Sequence, residues 1–146
     1  MLHVLVPLAQ GCEELEAITI TDLLVRAGIK VTTCGLDDKP VTASRGTVIV
    51  PTTSIEKVAA ETFDAIILPG GLPGVDHLRD NPPLQQLLKR HAAENHYIAA
   101  ICAAPKALAQ AGLLAGKTAT AYPGTLEEIS HDDIHISNNA VEIDGR

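Results

Sequence analysis

The segment Tyr97-Ile98-Ala99-Ala100-Ile101-Cys102-Ala103-Ala104-Pro105-Lys106 decides the reading of this chain. A short apolar run meets one cysteine, two alanines follow, and then a proline suited to the first position of a helix. That order predicts strand, sharp turn and helix with a reactive side chain at the turn, a nucleophile elbow. Crowding at such a turn demands small neighbours, and Ala100, Ala103 and Ala104 supply them. The turn also sets Cys102 at a helix N-terminus, where free amides and the helix dipole favour a thiolate. Cys102 is therefore the candidate nucleophile.

Outward from the elbow, apolar runs alternate with helical patterns. Strands are predicted over 3–7, 29–35, 65–68 and 97–101, and helices over 13–27, 54–60, 82–94 and 105–111. Leu15, Ile18, Leu23 and Leu24 give the first helix its apolar side, and Gly28 ends it. Ser54 and Asn81 are placed as N-caps. Segments 41–43 and 47–51 read as a small hairpin off the main sheet. Further on, 117–121, 134–137 and 141–143 read as strands and 125–129 as a short helix. The alternation predicts an α/β fold, a mostly parallel sheet with helices on both faces. Ligands in such folds sit beyond the carboxyl ends of strands, where strand order reverses. Segments 10–16, 69–74 and 102–105 all follow strand ends and are expected to converge there. Residues 142–146, Glu-Ile-Asp-Gly-Arg, read as a strand entering an Asp-Gly turn that needs a partner strand. The single domain 1–146 is accordingly expected to be truncated.

Composition narrows the function classes. A chain of 146 residues makes one domain with a core that needs no staples. Apolar residues are 46% and aromatics only 2%, so the core is aliphatic, as suits buried parallel strands. A net charge of -7 without a basic run argues against a nucleic-acid complex. No segment has a signal-peptide or membrane-span pattern, so a cytoplasmic protein without a membrane partner is expected. Three cysteines without CxxC spacing indicate neither a disulfide framework nor a metal site. Cys34 reads as a buried small hydrophobe. Cys12, at a loop-to-helix junction, is expected to be partly exposed, with a redox role as its minor alternative.

Two further signals join the elbow. Pro69-Gly70-Gly71 after a buried strand lets the backbone turn sharply and aim amides into a cleft. Beside Cys102, the amides of Gly71 and Ala103 would form an oxyanion hole; the plain alternative is a strand-to-helix turn. The acidic run Glu13-Glu14-Leu15-Glu16 suits a helix N-terminus, with Glu13 and Glu14 solvated. For Glu16 the alternative is to turn toward the cleft, and the residues alone give it little preference over its neighbours. Two anions there would repel, so one group is held protonated, and a carboxylic acid can bond sulfur or shuttle a proton. Histidines 3, 77, 91, 96, 131 and 135 read as surface residues, and position 103 is alanine, which leaves no Cys-His protease pattern.

Together these residues resemble the ThiJ/PfpI family, in the branch of the parkinsonism-associated protein deglycase and its bacterial relatives. Gly11-Cys12-Glu13-Glu14-Leu15-Glu16 resembles the family's first loop and helix. Ala43-Ser44-Arg45-Gly46 resembles a segment whose arginine lies near the site and the dimer interface. Leu68-Pro69-Gly70-Gly71 resembles its glycine turn, and Ala99-Ala100-Ile101-Cys102-Ala103 its elbow. The resemblance implies a flavodoxin-like three-layer sandwich, a homodimer and a cysteine readily oxidised to sulfinate. It further implies glyoxalase III-type and deglycase activity on small aldehydes or glycated adducts, with no cofactor. Cys102 would attack the carbonyl carbon, Glu16 would shuttle the proton, and Gly70, Gly71 and Ala103 would bind the oxyanion. Where some members carry a histidine twenty residues after the cysteine, this chain has Tyr122, a poor base at neutral pH with a phenol pKa near 10. The family pattern also continues with a strand, a glycine-rich turn and a C-terminal helix, which this sequence is expected to lack. The alternative to an enzyme is a non-catalytic redox sensor or chaperone-like stress protein signalling through Cys102 oxidation.

Overall fold

In the computed structural model, residues 1–129 and 133–146 are described. The elements in chain order are β1 (His3–Leu8), α1 (Glu14–Arg26), β2 (Lys30–Gly35), β3 (Val41–Thr42), β4 (Val48–Ile49), β5 (Thr53–Ser54), α2 (Ile55–Val58), β6 (Ala65–Leu68), α3 (Gly74–Arg79), α4 (Pro82–Ala93), β7 (Tyr97–Ala100), α5 (Pro105–Gln110), β8 (Thr118–Ala119) and β9 (His135–Ile136). Five strands form a parallel sheet in the order β5-β2-β1-β6-β7. From β1 the chain builds outward first to β2 and β5, then crosses back to β6 and β7. The reversal lies between β1 and β6, where a crevice opens at the strands' carboxyl ends.

The strands' alternation sorts the core into two layers. Leu5, Ile66 and Leu68 face a layer with Ile55, Leu78, Leu84, Leu88, Ala104 and Leu108 from α2, α3, α4 and α5. Val4, Val6 and Leu8 face the other, against Ala17 of α1 and Val41 of the hairpin, with Ile20 and Leu24 partly buried there. The result is the expected α/β sandwich. Asn81 caps α4 by accepting the Leu84 amide at 3.0 Å. Ser54 stands at the N-cap of α2 but makes no side-chain cap bond.

Several expectations are corrected. Leu15, Ile18 and Leu23 point outward, because α1 seats its small Ala17 with Ile20 and Leu24 on the sheet. Residues 123–128 form consecutive turns, not a helix over 125–129. Their bonds stay single turns, such as the Glu128 amide on the Gly124 carbonyl at 3.3 Å and the Ile129 amide on the Leu126 carbonyl at 3.1 Å. Segment 141–143 is no strand: Val141 and Ile143 are exposed, and the chain end is tethered by single bonds, Thr118 N–H to Asp144 and Ile98 N–H to the Arg146 carbonyl. β8 and β9 are shorter than expected and pair parallel with each other, apart from the main sheet. Two elements escaped the sequence pattern, the two-residue β5 and helix α3, whose glycine and proline start hid it.

His91 is no surface residue but fully buried. Its Nδ1 donates to the Leu87 carbonyl at 3.0 Å and its Nε2 accepts the Phe63 amide at 2.9 Å. Burial lowers its pKa below the usual histidine value, with the Leu87 bond opposing and Arg90 reinforcing. His131 lies outside the described residues.

A lowered folded pKa means that the unfolded chain takes up the proton first on acidification. Stability from His91 is therefore present above about pH 6.5 and lost as pH falls through the folded value. The melting temperature of the wild type should fall between pH 7.5 and 5.5. His91→Gln, which keeps an acceptor for Phe63, should melt lower at neutral pH but with a shallower acid slope. Parallel slopes in the two proteins would remove His91 from this role.

Candidate active site

Three chain segments meet at the crevice. The loop after β1 enters α1, the glycine turn follows β6, and the elbow follows β7. Their junction is made by backbone: the Glu13 amide donates to the Gly70 carbonyl at 2.9 Å. Gly74 lies against Cys12 so closely that a Cβ would sit 2.6 Å from its amide nitrogen. Gly71, at φ 97°, has no room for a side chain against Cys12 and Glu13. This packing leaves Cys12 with 0% exposure, which corrects the expectation of a partly exposed thiol.

Cys102 occupies the elbow at φ 59°, a left-handed conformation uncommon outside glycine and associated with functional strain. Ala103 and Ala104 are buried behind it, and the Ala104 amide closes the turn onto the Ile101 carbonyl at 2.9 Å. The thiol is half-buried among its neighbours. From α1, Glu16 reaches across and its Oε2 accepts the Gly70 amide at 2.7 Å. The same carboxylate oxygen and the Cys102 side chain flank one point: a Cβ on Gly70 would lie 2.6 Å from the Glu16 Oε2 and 2.6 Å from the Cys102 Cβ. The structure thus brings Glu16, Gly70, Gly71 and Ala103 to Cys102.

The electrostatics differ from the helix-end expectation. Burial pushes the Cys102 thiol above its ordinary pKa, the Glu16 bond and charge push the same way, and the Ala103 and Gly71 amides only partly oppose them. The helix behind the elbow is six residues long, so its dipole is weak. Glu16 therefore dominates the thiol's protonation after burial itself.

Other predicted residues stand differently. Tyr122 meets the elbow through its backbone, donating its N–H to the Cys102 carbonyl at 2.8 Å, while the residue as a whole is 63% exposed. Arg45 is exposed in the turn between β3 and β4 and makes no ion pair among the described residues. Its neighbour Ser44 docks that turn onto α1, with its hydroxyl donating to Glu13 at 3.1 Å and its amide to the Cys12 carbonyl at 2.8 Å. Glu14, expected to be solvated, has both carboxylate oxygens buried without a hydrogen-bond partner. A pocket of about 330 Å³ flanks Cys102, lined also by Thr120, Leu126, Glu127, Ile136 and Asn139. These loop residues carry no spacing signal, since turns far apart in sequence assemble that wall. Among the described residues, no group of side chains could hold a metal ion, and no helix is long and apolar enough to cross a membrane.

The three cysteines should react very differently. Burial and then the Glu14 charge push Cys12 up to about 11, and burial pushes Cys34 up to about 12. At pH 8 roughly one Cys12 in a thousand would be thiolate even if reachable. Iodoacetamide at that pH should add once to the folded protein, at Cys102, and three times after denaturation. Early labelling of Cys12 or Cys34 in peptide mapping would contradict the packing of the crevice.

Comparisons with known proteins match nearly the whole chain. The profile of the DJ-1/PfpI family matches residues 2–146. Protein dj-1beta of Drosophila melanogaster is 41% identical over 142 residues, spanning 97% of this chain and 76% of that protein. The Parkinson disease protein 7 homolog of Danio rerio is 40% identical over 144 residues, 97% of this chain and 76% of that protein. A relative named glutathione-independent glyoxalase DJR-1.2, from Caenorhabditis elegans, is 38% identical over 113 residues, 77% of this chain and 60% of that protein. The crystal structure of Drosophila melanogaster DJ-1beta superposes with a TM-score of 0.94 at 40% identity, covering 99% of this chain and 78% of that one. With the elbow, the glycine turn and the acidic helix start assembled in one crevice, the chain belongs to the DJ-1/PfpI family.

Proposed function

We propose that this protein is a cysteine-dependent enzyme of reactive carbonyls, of glyoxalase III or deglycase type. The observation that carries this reading is the meeting of Glu16 and Cys102 at Gly70, a proton carrier and a nucleophile on either side of one glycine whose amide Glu16 accepts. Sulfur adds to the aldehyde carbon of a dicarbonyl while Glu16 takes the thiol proton. The resulting oxyanion develops beside the Gly71 and Ala103 amides, and protonation gives a hemithioacetal. Glu16 next carries the carbinol C–H proton to the neighbouring carbon. One carbon is oxidised to a thioester and the other reduced to an alcohol, so no external oxidant enters. Water cleaves the thioester, releasing a 2-hydroxy acid and restoring the thiol. With a carbinolamine adduct, sulfur bonds to the carbinol carbon as its C–N bond breaks, and the thiol proton passes through Glu16 to the departing amine or guanidine, leaving the same hemithioacetal. A purely redox role uses the accessibility of Cys102 alone and leaves Glu16 without work; the glyoxalase name of the nematode relative favours catalysis.

Two copies pair through α1 and the β3–β4 hairpin. Leu15 (72% exposed), Ile18, Leu23 and Val25 lie on α1, and Val48 and Val50 lie on or beside the hairpin. Apolar side chains gathered on one side of the sheet mark an association surface. Arg45, on the same hairpin, then stands at the interface.

Cys102→Ser should abolish methylglyoxal turnover, by about a thousandfold or more. Glu16→Gln should lower it by about a hundredfold or more. The second variant separates reactivity from turnover. Removing the Glu16 charge removes two causes that raise the thiol's pKa. The alkylation curve of Cys102 should therefore move to lower pH while turnover falls. Turnover that survives Cys102→Ser refutes the reading, and an upward shift in Glu16→Gln refutes the assigned role of Glu16.

Light scattering of the wild type should give a dimer mass. Ile18→Glu should give a monomer with an unchanged circular dichroism spectrum. A wild type that stays monomeric at high micromolar concentration would remove this interface.

A further inference from the structure

Glu16 has a natural partner in its own helix, and the fold takes that partner away. Glu13 is the N-cap of α1, which makes Glu16 the third residue of the helix. A glutamate at that place ordinarily turns back and accepts the N-cap amide, closing a capping box. Here the Glu13 amide is occupied, donating to the Gly70 carbonyl at 2.9 Å. Gly70 in turn donates its own amide to the Glu16 Oε2 at 2.7 Å. The donor and the acceptor of a capping box are both present, but each is satisfied by a glycine that follows β6. Glu16 therefore stands at Gly70, opposite the Cys102 side chain, instead of at its own helix end.

The cap itself is unusual. Favoured N-caps are Ser, Thr, Asp and Asn, whose short side chains reach the first free amides of the helix. Glutamate is longer, and the Glu13 Oε1 meets the Leu15 amide only at 3.5 Å. Its other oxygen, Oε2, accepts the Ser44 hydroxyl at 3.1 Å from the turn between β3 and β4. That hairpin is laced to the loop leading into α1. The Gly11 amide donates to the Thr42 carbonyl and the Ser44 amide to the Cys12 carbonyl, each at 2.8 Å. The Gln10 side chain bonds the Pro40 carbonyl and the Thr42 amide, each at 2.9 Å. The hairpin thus holds both the Glu13 carboxylate and the backbone before it, in the pose that leaves the Glu13 amide on Gly70.

We infer that Glu13 is a positioning residue for Glu16, held in place by Ser44. A long, weak cap tethered to the hairpin keeps the capping box open, and so keeps Glu16 at Gly70 and Cys102. A shorter, stronger cap stabilises the start of α1 and draws Glu16 back to it. The inference rests on Glu16 being the proton carrier of the proposed function, but the place of Glu16 is read at the thiol and needs no turnover. Glu13 touches no reacting atom in this scheme. Of the two glutamates, Glu16 is the one whose charge acts on the Cys102 thiol.

The test separates positioning from stability. Glu13→Asp keeps the charge and completes an Asp-x-x-Glu capping box, yet is one methylene shorter on the side toward Ser44. Its melting temperature should equal or exceed that of the wild type. Its iodoacetamide alkylation curve at Cys102 should nevertheless move to lower pH, part of the way to that of Glu16→Gln. The kcat for methylglyoxal should fall about fivefold with KM unchanged, as Glu16 divides its time between two partners. Ser44→Ala should move the curve in the same direction with Glu13 intact, and Ser44→Thr, which keeps the hydroxyl, should leave it at the wild-type position. In a Glu16→Gln background neither Glu13→Asp nor Ser44→Ala should move the curve further. If Glu13→Asp melts lower than the wild type, Ser44→Ala against Ser44→Thr decides the point by itself. A curve unmoved by both Glu13→Asp and Ser44→Ala, or moved as far once Glu16 is replaced, overturns the inference. Curves that move as expected in a protein without methylglyoxal turnover leave the positioning standing and instead refute the proposed activity.

Discussion

The site depends on Gly70 having no side chain. A Cβ there would lie 2.6 Å from the Cys102 Cβ and 2.6 Å from the Glu16 Oε2, closer than real atoms approach. Because that space is empty, the Gly70 amide can reach Glu16 at 2.7 Å, and the Glu16 carboxylate and the Cys102 side chain can flank the same point. The Gly70 carbonyl meanwhile accepts the Glu13 amide, which fixes the start of α1. One residue therefore joins the turn after β6, the helix after β1 and the elbow after β7. The parallel sheet places those three strand ends side by side, and this contact turns their proximity into a defined geometry.

Protonation at the sulfur follows from the same arrangement. A cysteine at a helix start is expected to ionise easily. Here the helix is short and the cysteine half-buried, so the local donors lose to burial and to a neighbouring carboxylate. The positive φ at Cys102 belongs to the same economy of space, since it lifts the side chain away from its own strand toward Glu16. A thiol held in this way is regulated by its partner more than by the backbone. That distinguishes it from Cys12 and Cys34, which are raised in pKa because they are buried in the two core layers.

Much of this was legible in the chain itself. The periodicity located β1, α1, β2, β6, α4, β7 and α5 to within a few residues, because buried parallel strands and capped helices leave strong local marks. The glycine pair and the small residues around Cys102 were readable for the same reason, as local steric demands at sharp turns. The regions misread are those where local pattern competes with packing. The apolar residues of α1 gave no sign of which face would be covered, and Ala17 rather than Leu15 took the inner place. His91 looked like an ordinary polar residue on a helix, yet it is buried because the Phe63 amide needs an acceptor there. The turns over 123–128 carry helix-compatible residues, but their backbone bonds form separate turns and not a continuous helical ladder.

What the sequence determined alone was the class of fold, the identity of the nucleophile candidate and the set of segments that would end near it. Each is written in short-range constraints: hydrophobic period, cap residues, and glycine or alanine where no larger residue fits. Only the tertiary structure decided which of three adjacent glutamates meets the sulfur, since that depends on the rotation of α1 over the sheet. It also decided which way the cysteine's pKa moves and which distant loops wall the pocket beside it. Those outcomes come from burial and from polar groups brought close across 54 or more residues of chain, such as the Glu16 carboxylate and the Gly70 amide, and no local pattern encodes them.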